Sequence, residues 1–431
     1  MASAALKISI VGLSYAPEPT GNAPYTTSLA EGLLAAGHDV RIVTAHPHYP
    51  EWRIREGYGQ WSSREQVRGV TVRRLRHWVP RNPTAVRRAL SELSFGVRAA
   101  TARWGKPDVV LLVSPALLSS ALAMVHAKFS RVPVGVWVQD LYGLGVVETG
   151  TGGALAARLL RGIEARLFGS ASGVVVIHER FRNYVVNDLG VGAARVEVIR
   201  NWTHLSSVSA VDRAAVRRKF GWCDGETVVL HAGNQGLKQG LENVVEAARL
   251  ADAARARVRF VLLGDGNQRS SLESAAAGIE RLDFIDPLPD DEFQQAMSGA
   301  DILLVNERPG MTEMSVPSKL TSYFSTGRPV IAATDAGSVT DGEIAASGGG
   351  IRVDAGDPAA LWVAACALGL DTTRASGLGL AGLAYRERLL SDRVAIERFG
   401  QWLTGLVRPS TSTAGSVPSR SAEGQQSPGS D

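Results

Sequence analysis

Ser315, Ser318 and Lys319 stand close together at the head of a segment that could hold a phosphate. The run Ser315-Val316-Pro317-Ser318-Lys319-Leu320 reads as a loop turning into a helix, with Ser315 placed as an N-cap and Pro317 in the first turn. Gly327 ends that helix, Pro329 blocks its continuation, and Val330 to Ala333 is an apolar strand. Free N–H groups and the positive end of the helix dipole would face an anion there, and Lys319 would add a full charge. The same residues equally suit an ordinary capped surface helix.

A second segment favours the phosphate. The stretch Leu230 to Ala248 begins as a strand and breaks at Gly233, Gly236 and Gly240. It then places apolar Leu241, Val244, Val245 and Ala248 at helical spacing. Glycines in such a loop let backbone approach a ligand, with Asn234 and Lys238 as polar neighbours. A third strand, Val258 to Leu263, runs into Gly264-Asp265-Gly266, another turn able to come close to a ligand.

These three segments, in this order and spacing, resemble the donor half of the retaining glycosyltransferases of the GT-B fold, family 4. The flavour is that of bacterial capsule, O-antigen and colanic-acid enzymes, whose helix also reads roughly Val-Pro-Ser-Lys-Leu. The resemblance covers about Lys7 to Val407. It implies two Rossmann-like doubly wound α/β domains facing across a cleft. It also implies transfer of a hexose or N-acetylhexosamine-type sugar from a nucleotide-diphosphate donor, UDP-linked in the commonest relatives, without metal or other cofactor. The acceptor would be a saccharide or a polyprenyl-linked sugar of cell-surface polysaccharide synthesis. Donor contacts would come from Gly233, Asn234, Lys238, Gly264, Gly266, Ser315 and Ser318, with Lys319 and Glu313 at the reacting centre. The chain departs from the family pattern in places. Of two glutamates usually eight positions apart, one falls on Met314, beside Glu313, and the other on Ser322, which has no carboxylate. The usual arginine of the Gly233 loop is Asn234, and the usual lysine is Gln239, beside Lys238.

The other half carries the expected acceptor side. Pro17 to Pro24 follows the first strand, and the resemblance sets Gly21 and Asn22 under the transferred sugar; structurally the segment is also a plain Pro/Gly loop. Gln139-Asp140 follows the strand Val134 to Val138, and ligands of open α/β sheets gather at the carboxyl ends of strands. Asp140 is therefore expected near the acceptor and, by the resemblance, among the catalytic residues, although it could simply cap the next turn. His178, after Val174 to Ile177, is a further acceptor-side candidate, whereas His46 and His48 read as loop histidines. Asn201 marks the hinge.

At 431 residues, with 45% apolar and 20% charged composition, the chain suits two soluble α/β domains. The boundaries are expected at 1–205 for the acceptor half and 206–385 for the donor half. Residues 386–407 would form a helix crossing back, and 408–431 a disordered tail rich in Ser, Gly, Thr, Pro and Gln. Two distant cysteines, Cys223 and Cys366, give no metal or disulfide spacing, and Met1 to Leu6 lacks a signal peptide's start, so a cytoplasmic location is expected. Val109 to Ala127 is apolar but interrupted, and reads as a core strand and helix rather than a membrane span. Between Glu51 and Lys106 thirteen Arg or Lys face four Glu, a balance of +9 in a chain of +4, which leaves −5 elsewhere. Arg73, Arg74, Arg76, Arg81, Arg87, Arg88, Arg98 and Arg103 lie there among Trp78, Leu90, Leu93, Phe95, Val97 and Trp104. The mixture suits peripheral contact with an anionic membrane, on the inner face of the cell membrane, or else a solvated arginine face. No nucleic-acid reader motif accompanies it. Gly12 to Pro17 lacks the three-glycine dinucleotide fingerprint, which excludes a nicotinamide oxidoreductase. A nucleotide-sugar 2-epimerase and an inactive nucleotide-sugar-binding relative remain as alternatives.

Overall fold

The computed structural model describes residues 5–19, 21–143, 153–202, 211–310 and 318–407. Two sheets organise it. The first contains β1 (Lys7–Val11), β2 (Asp39–Ala45), β3 (Ser62–Val67), β4 (Val70–Leu75), β5 (Val109–Ser114), β6 (Val134–Val138), β7 (Gly173–Val176) and β8 (Val196–Val198), in the order β3-β4-β2-β1-β5-β6-β7-β8. The second contains β9 (Thr227–Ala232), β10 (Val258–Leu263), β11 (Leu282–Ile285), β12 (Ile302–Asn306), β13 (Val330–Ala333) and β14 (Gly350–Val353), in the order β11-β10-β9-β12-β13-β14. Every pairing is parallel except β3 with β4.

The composition of the strands explains the layering. β5, β6, β7 and β13 are buried at every position, as near-continuous Val, Leu and Ala runs must be when helices cover both faces. β3 was not anticipated, because Ser-Ser-Arg-Glu-Gln-Val is polar. It sits at the sheet edge, where only its backbone must be satisfied, and its side chains alternate between exposed and half-buried. β3 also corrects the basic stretch. Arg74 on β4 is fully buried, paired with Glu65 of β3 and directed at the Ala45 carbonyl, so it belongs to the interior and not to a membrane-facing surface.

Where a single helix was expected over 386–407, the chain breaks between two helices, Thr372–Leu389 and Asp392–Val407. The second packs on the first sheet. Ala395, Phe399 and Leu403 enter that sheet's core, with Phe399 4.9 Å from Trp137 between ring centroids. Trp402 lies over Gly135 and Gly173, where a Cβ would overlap its indole. The two halves also bond directly: Arg200 reaches Glu343 at 2.9 Å, a carboxylate that Tyr385 of the same half holds at 2.7 Å, and Arg180 donates to the Gly337 carbonyl at 3.1 Å.

Candidate functional site

Each sheet reverses its winding once, between β1 and β5 and between β9 and β12. Loops leaving the carboxyl ends of adjacent strands diverge at such a point and leave a crevice. Several of the expected site residues lie on loops at the carboxyl ends of these strands.

In the second half, β9 ends at Ala232 and passes through Gly233, whose φ of +123 requires glycine. The helix Ser318–Phe324 stands beside it, pinned by Tyr323. The Tyr323 hydroxyl accepts from the Ala232 N–H at 2.9 Å and lies 3.3 Å from the Leu304 carbonyl oxygen, so one phenol ties the helix to β9 and β12. Lys319 is thereby aimed inward. A Cβ on Gly233 would stand 3.2 Å from Lys319 Cε, so the glycine makes room for the lysine stem. Lys319 Nζ meets His231 Nε2 at 2.8 Å, and His231 Nδ1 lies 3.2 Å from the Leu304 carbonyl oxygen. A proton on Nδ1 satisfies that carbonyl and leaves Nε2 to accept from the amine. Burial lowers the His231 pKa and the lysine charge lowers it further, keeping the imidazole neutral. Burial also lowers Lys319 to about 7, against which the Glu307 carboxylate pulls upward. Glu307, just beyond β12, is held by Thr334 and by Thr340 at 2.7 Å. His231 stood in the sequence motif without a role; only the strand register reveals it under Lys319.

Asn234 and Lys238 are exposed on the same loop, with Asn234 3.4 Å from Gln239. Gly264 and Gly266 pack on the neighbouring loop: a Cβ on Gly264 would overlap the Gly233 carbonyl, and one on Gly266 the Gln235 backbone. Ser318 begins the helix. Glu313, Ser315 and Pro317 lie outside the described residues.

In the first half, loops beyond β1, β5 and β6 surround a cavity of about 360 Å³. Gly21, Asn22 and Asp140 line it together. Asn22 is anchored by donating to the Ser114 carbonyl at 3.3 Å. Asp140 accepts from the Leu141 N–H at 2.8 Å. Burial raises its pKa, while that backbone bond and the Lys238 charge lower it, so a lysine of the second half is felt at a carboxylate of the first. The cavity also gathers residues that were missed: His48, Trp52, Arg88, Glu92 and Tyr142. Glu92 lies on the inner face of the helix Ala85–Ala100. It accepts from the Tyr142 hydroxyl at 2.6 Å and the Leu118 N–H at 3.2 Å, and burial raises it to about 7. An acid among Ser91, Phe95, Gly96 and Ala99 on one buried helical face was the signal available in the sequence. His48 is not an ordinary loop histidine. Its N–H donates to Glu18 at 2.8 Å, and its ring faces His77 at 4.8 Å.

His178 does not join this cavity. Its Nδ1 accepts from the Phe181 N–H at 3.2 Å and caps a short helix, and its ring packs on Phe181; the position after β7 is a capping position. Asn201 donates to Gln139 at 2.8 Å, at the crossing between halves. No group of three His, Cys, Asp or Glu able to hold a metal occurs among the described residues.

Residues 20–202 match the family described as Glycosyl transferase 4-like domain, and residues 226–371 match Glycosyl transferases group 1. The chain is similar to the putative colanic acid biosynthesis glycosyl transferase WcaI of Escherichia coli K12, with 32% identity over 77% of this chain and 84% of the relative. The chain belongs to the GT-B glycosyltransferases of this type. The fold agrees in solved structures of lower identity. Sucrose-phosphate synthase from Thermosynechococcus elongatus superposes with a TM-score of 0.70 at 19% identity, over 94% of this chain and 100% of that one. Anabaena HepE in complex with UDP superposes with a TM-score of 0.68 at 15% identity, over 93% and 100%. In this glycosyltransferase the two crevices correspond to the two halves of the family's architecture.

Proposed function

We propose that the protein moves a hexose or N-acetylhexosamine-type sugar, with retention, from a nucleotide-diphosphate donor such as a UDP-sugar to a saccharide or lipid-linked acceptor in cell-surface polysaccharide synthesis. The observation that carries this is the aim of Lys319. A buried amine, seated on Gly233 and bonded to His231 where the winding reverses between β9 and β12, supports a diphosphate there. As the bond from the anomeric carbon to the phosphate oxygen breaks, negative charge grows on that oxygen. Lys319 and the N–H groups of the Gly233 loop and of the helix at Ser318 stabilise it more as it grows. The acceptor sits in the cavity of the first half, where Asp140 holds its hydroxyl and Glu92 with Tyr142 bounds its far side. No protein nucleophile and no metal is assigned.

A separate acceptor cavity favours transfer over 2-epimerisation, which requires the donor alone. The exposed apolar residues Val86, Leu90, Leu93 and Val97 form one stripe on the helix Ala85–Ala100, beside arginines. They support cytoplasmic, peripheral contact with an anionic membrane. Among the described residues no helix is long and apolar enough to cross one.

The test is turnover of a panel of nucleotide-sugars by the parent and by Lys319→Ala. The expected result is a loss of about 10²–10³-fold in kcat with the melting transition retained. A folded variant with parental turnover removes Lys319 from the mechanism. Product formed from donor alone, in the absence of acceptor, points to the epimerase.

A further inference from the structure

Beside the acceptor cavity lies a second cavity, of about 600 Å³. Arg53, Arg76, Arg81 and Arg98 line it, and no aspartate or glutamate does. Arg53, Arg76 and Arg81 make no ion pair among the described residues. Arg98 is fixed: it donates to the carbonyls of Trp61 at 2.6 Å and Arg76 at 3.3 Å, and its guanidinium lies 3.7 Å from the centre of the Trp61 ring. Four like charges held around one hollow repel one another unless an anion enters. Guanidinium groups are the side chains best matched to phosphate oxygens.

Buried His77 forms part of the lining, and neither of its ring nitrogens has a hydrogen-bond partner among the described residues. Its ring packs on His48, which lines the acceptor cavity. Trp52 lines both cavities, is held at the unusual φ of +51, and carries Arg88 over its ring at 5.1 Å. A non-glycine residue in that conformation persists where its surroundings demand it. The two hollows are therefore neighbours that share one indole.

The rim is apolar. Trp61 is 69% exposed and Trp78 47%. Ser94 and Arg98 of the lining belong to the helix whose adjoining face exposes Leu90 and Val97.

We propose that the arginine cavity binds the phosphate or diphosphate that joins the acceptor sugar to an apolar carrier. The sugar lies in the Asp140 cavity across Trp52, and the carrier runs along Trp61, Trp78 and the exposed stripe. This deepens the acceptor side of the transfer reading and rests on it. It requires nothing of the donor crevice.

The test uses the full-length protein with UDP present to fill the donor crevice. Farnesyl diphosphate, inorganic pyrophosphate and farnesol are titrated by calorimetry against the parent and Arg76→Gln/Arg81→Gln, two exposed positions whose exchange spares the core. Farnesyl diphosphate is expected to bind the parent at least tenfold more tightly than pyrophosphate or farnesol, and the double variant to lose at least tenfold of that affinity while binding UDP as before. Equal binding of farnesyl diphosphate by parent and variant overturns the site. Pyrophosphate binding as tightly as farnesyl diphosphate overturns the apolar carrier, and farnesol doing so overturns the phosphate. Failure of UDP to bind, with arginine-dependent farnesyl diphosphate binding intact, would sink the donor reading and leave this site standing.

Discussion

At the scale of single residues, the role proposed for Lys319 makes donor binding depend on pH. In the free protein burial holds its pKa at about 7. A diphosphate beside the amine favours the charged form and lifts that pKa. Above about pH 7, binding must therefore take up a proton, and affinity should weaken as pH rises, by up to about tenfold per pH unit. UDP dissociation constants at pH 6.5 and 8.5 measure this, and Lys319→Met should flatten the profile. A parental profile already flat across that range would place the diphosphate away from the lysine. Burial shifts Glu92 in the opposite direction, upward. Its folded pKa is raised to about 7, so its stabilising contribution is complete below the unfolded value near 4.5 and is lost as pH rises through 7. Whatever fixed penalty attends replacing one carboxyl oxygen by an amide, Glu92→Gln should gain thermal stability relative to the parent between pH 5 and pH 8. Paired melting curves at those two values check it. Lys319 was legible in the sequence because helix starts have a local grammar of hydroxyls, proline and charge. Glu92 and His231 were not, since their roles come from strand order and from which helical face turns inward.

At the scale of elements, tight glycines and the returning helix set the tolerances. Gly264 adopts a φ of +125 and abuts the Gly233 carbonyl. Gly264→Ala is expected to cost about 2 kcal/mol or more, and to weaken UDP binding by shifting the Gly233 loop under Lys319. Chemical denaturation and UDP titration on one preparation separate the two effects; an unperturbed loop would leave affinity at the parental value. Phe399 is fully buried among Trp137, Trp202 and Trp402. Phe399→Ala should destabilise the first half by about 3–5 kcal/mol, read as a lowered denaturation midpoint. Strands such as β5 and β13 were plain in the sequence, because an all-apolar run bounded by turns has few other fates. β3 was not, since an edge strand owes its existence to the backbone of β4 more than to its own side chains.

At the scale of the whole molecule, the two halves are coupled by Arg200 with Glu343, which Tyr385 holds in place from within the second half, and by Arg180 with the Gly337 carbonyl. Glu343→Ala should loosen their relative placement while leaving each sheet intact. UDP affinity should then stay within about twofold of the parent, while transfer falls by about tenfold, as expected when reacting groups carried by separate bodies lose alignment. Small-angle scattering alongside kinetics tests this; unchanged scattering with unchanged transfer would show that the connecting peptides alone set the geometry. Alternation of strands and helices announced two doubly wound halves, but no sequence pattern announced which side chains meet across them, because those contacts join residues more than a hundred positions apart. The helix Asp392–Val407 has a further consequence. It completes the hydrophobic interior of the half that begins at β1, yet it is synthesised after every strand of the other half. During translation the second sheet can therefore reach its final packing while the earlier-made sheet still waits, with Trp137 and Trp202 uncovered, for Phe399 to emerge.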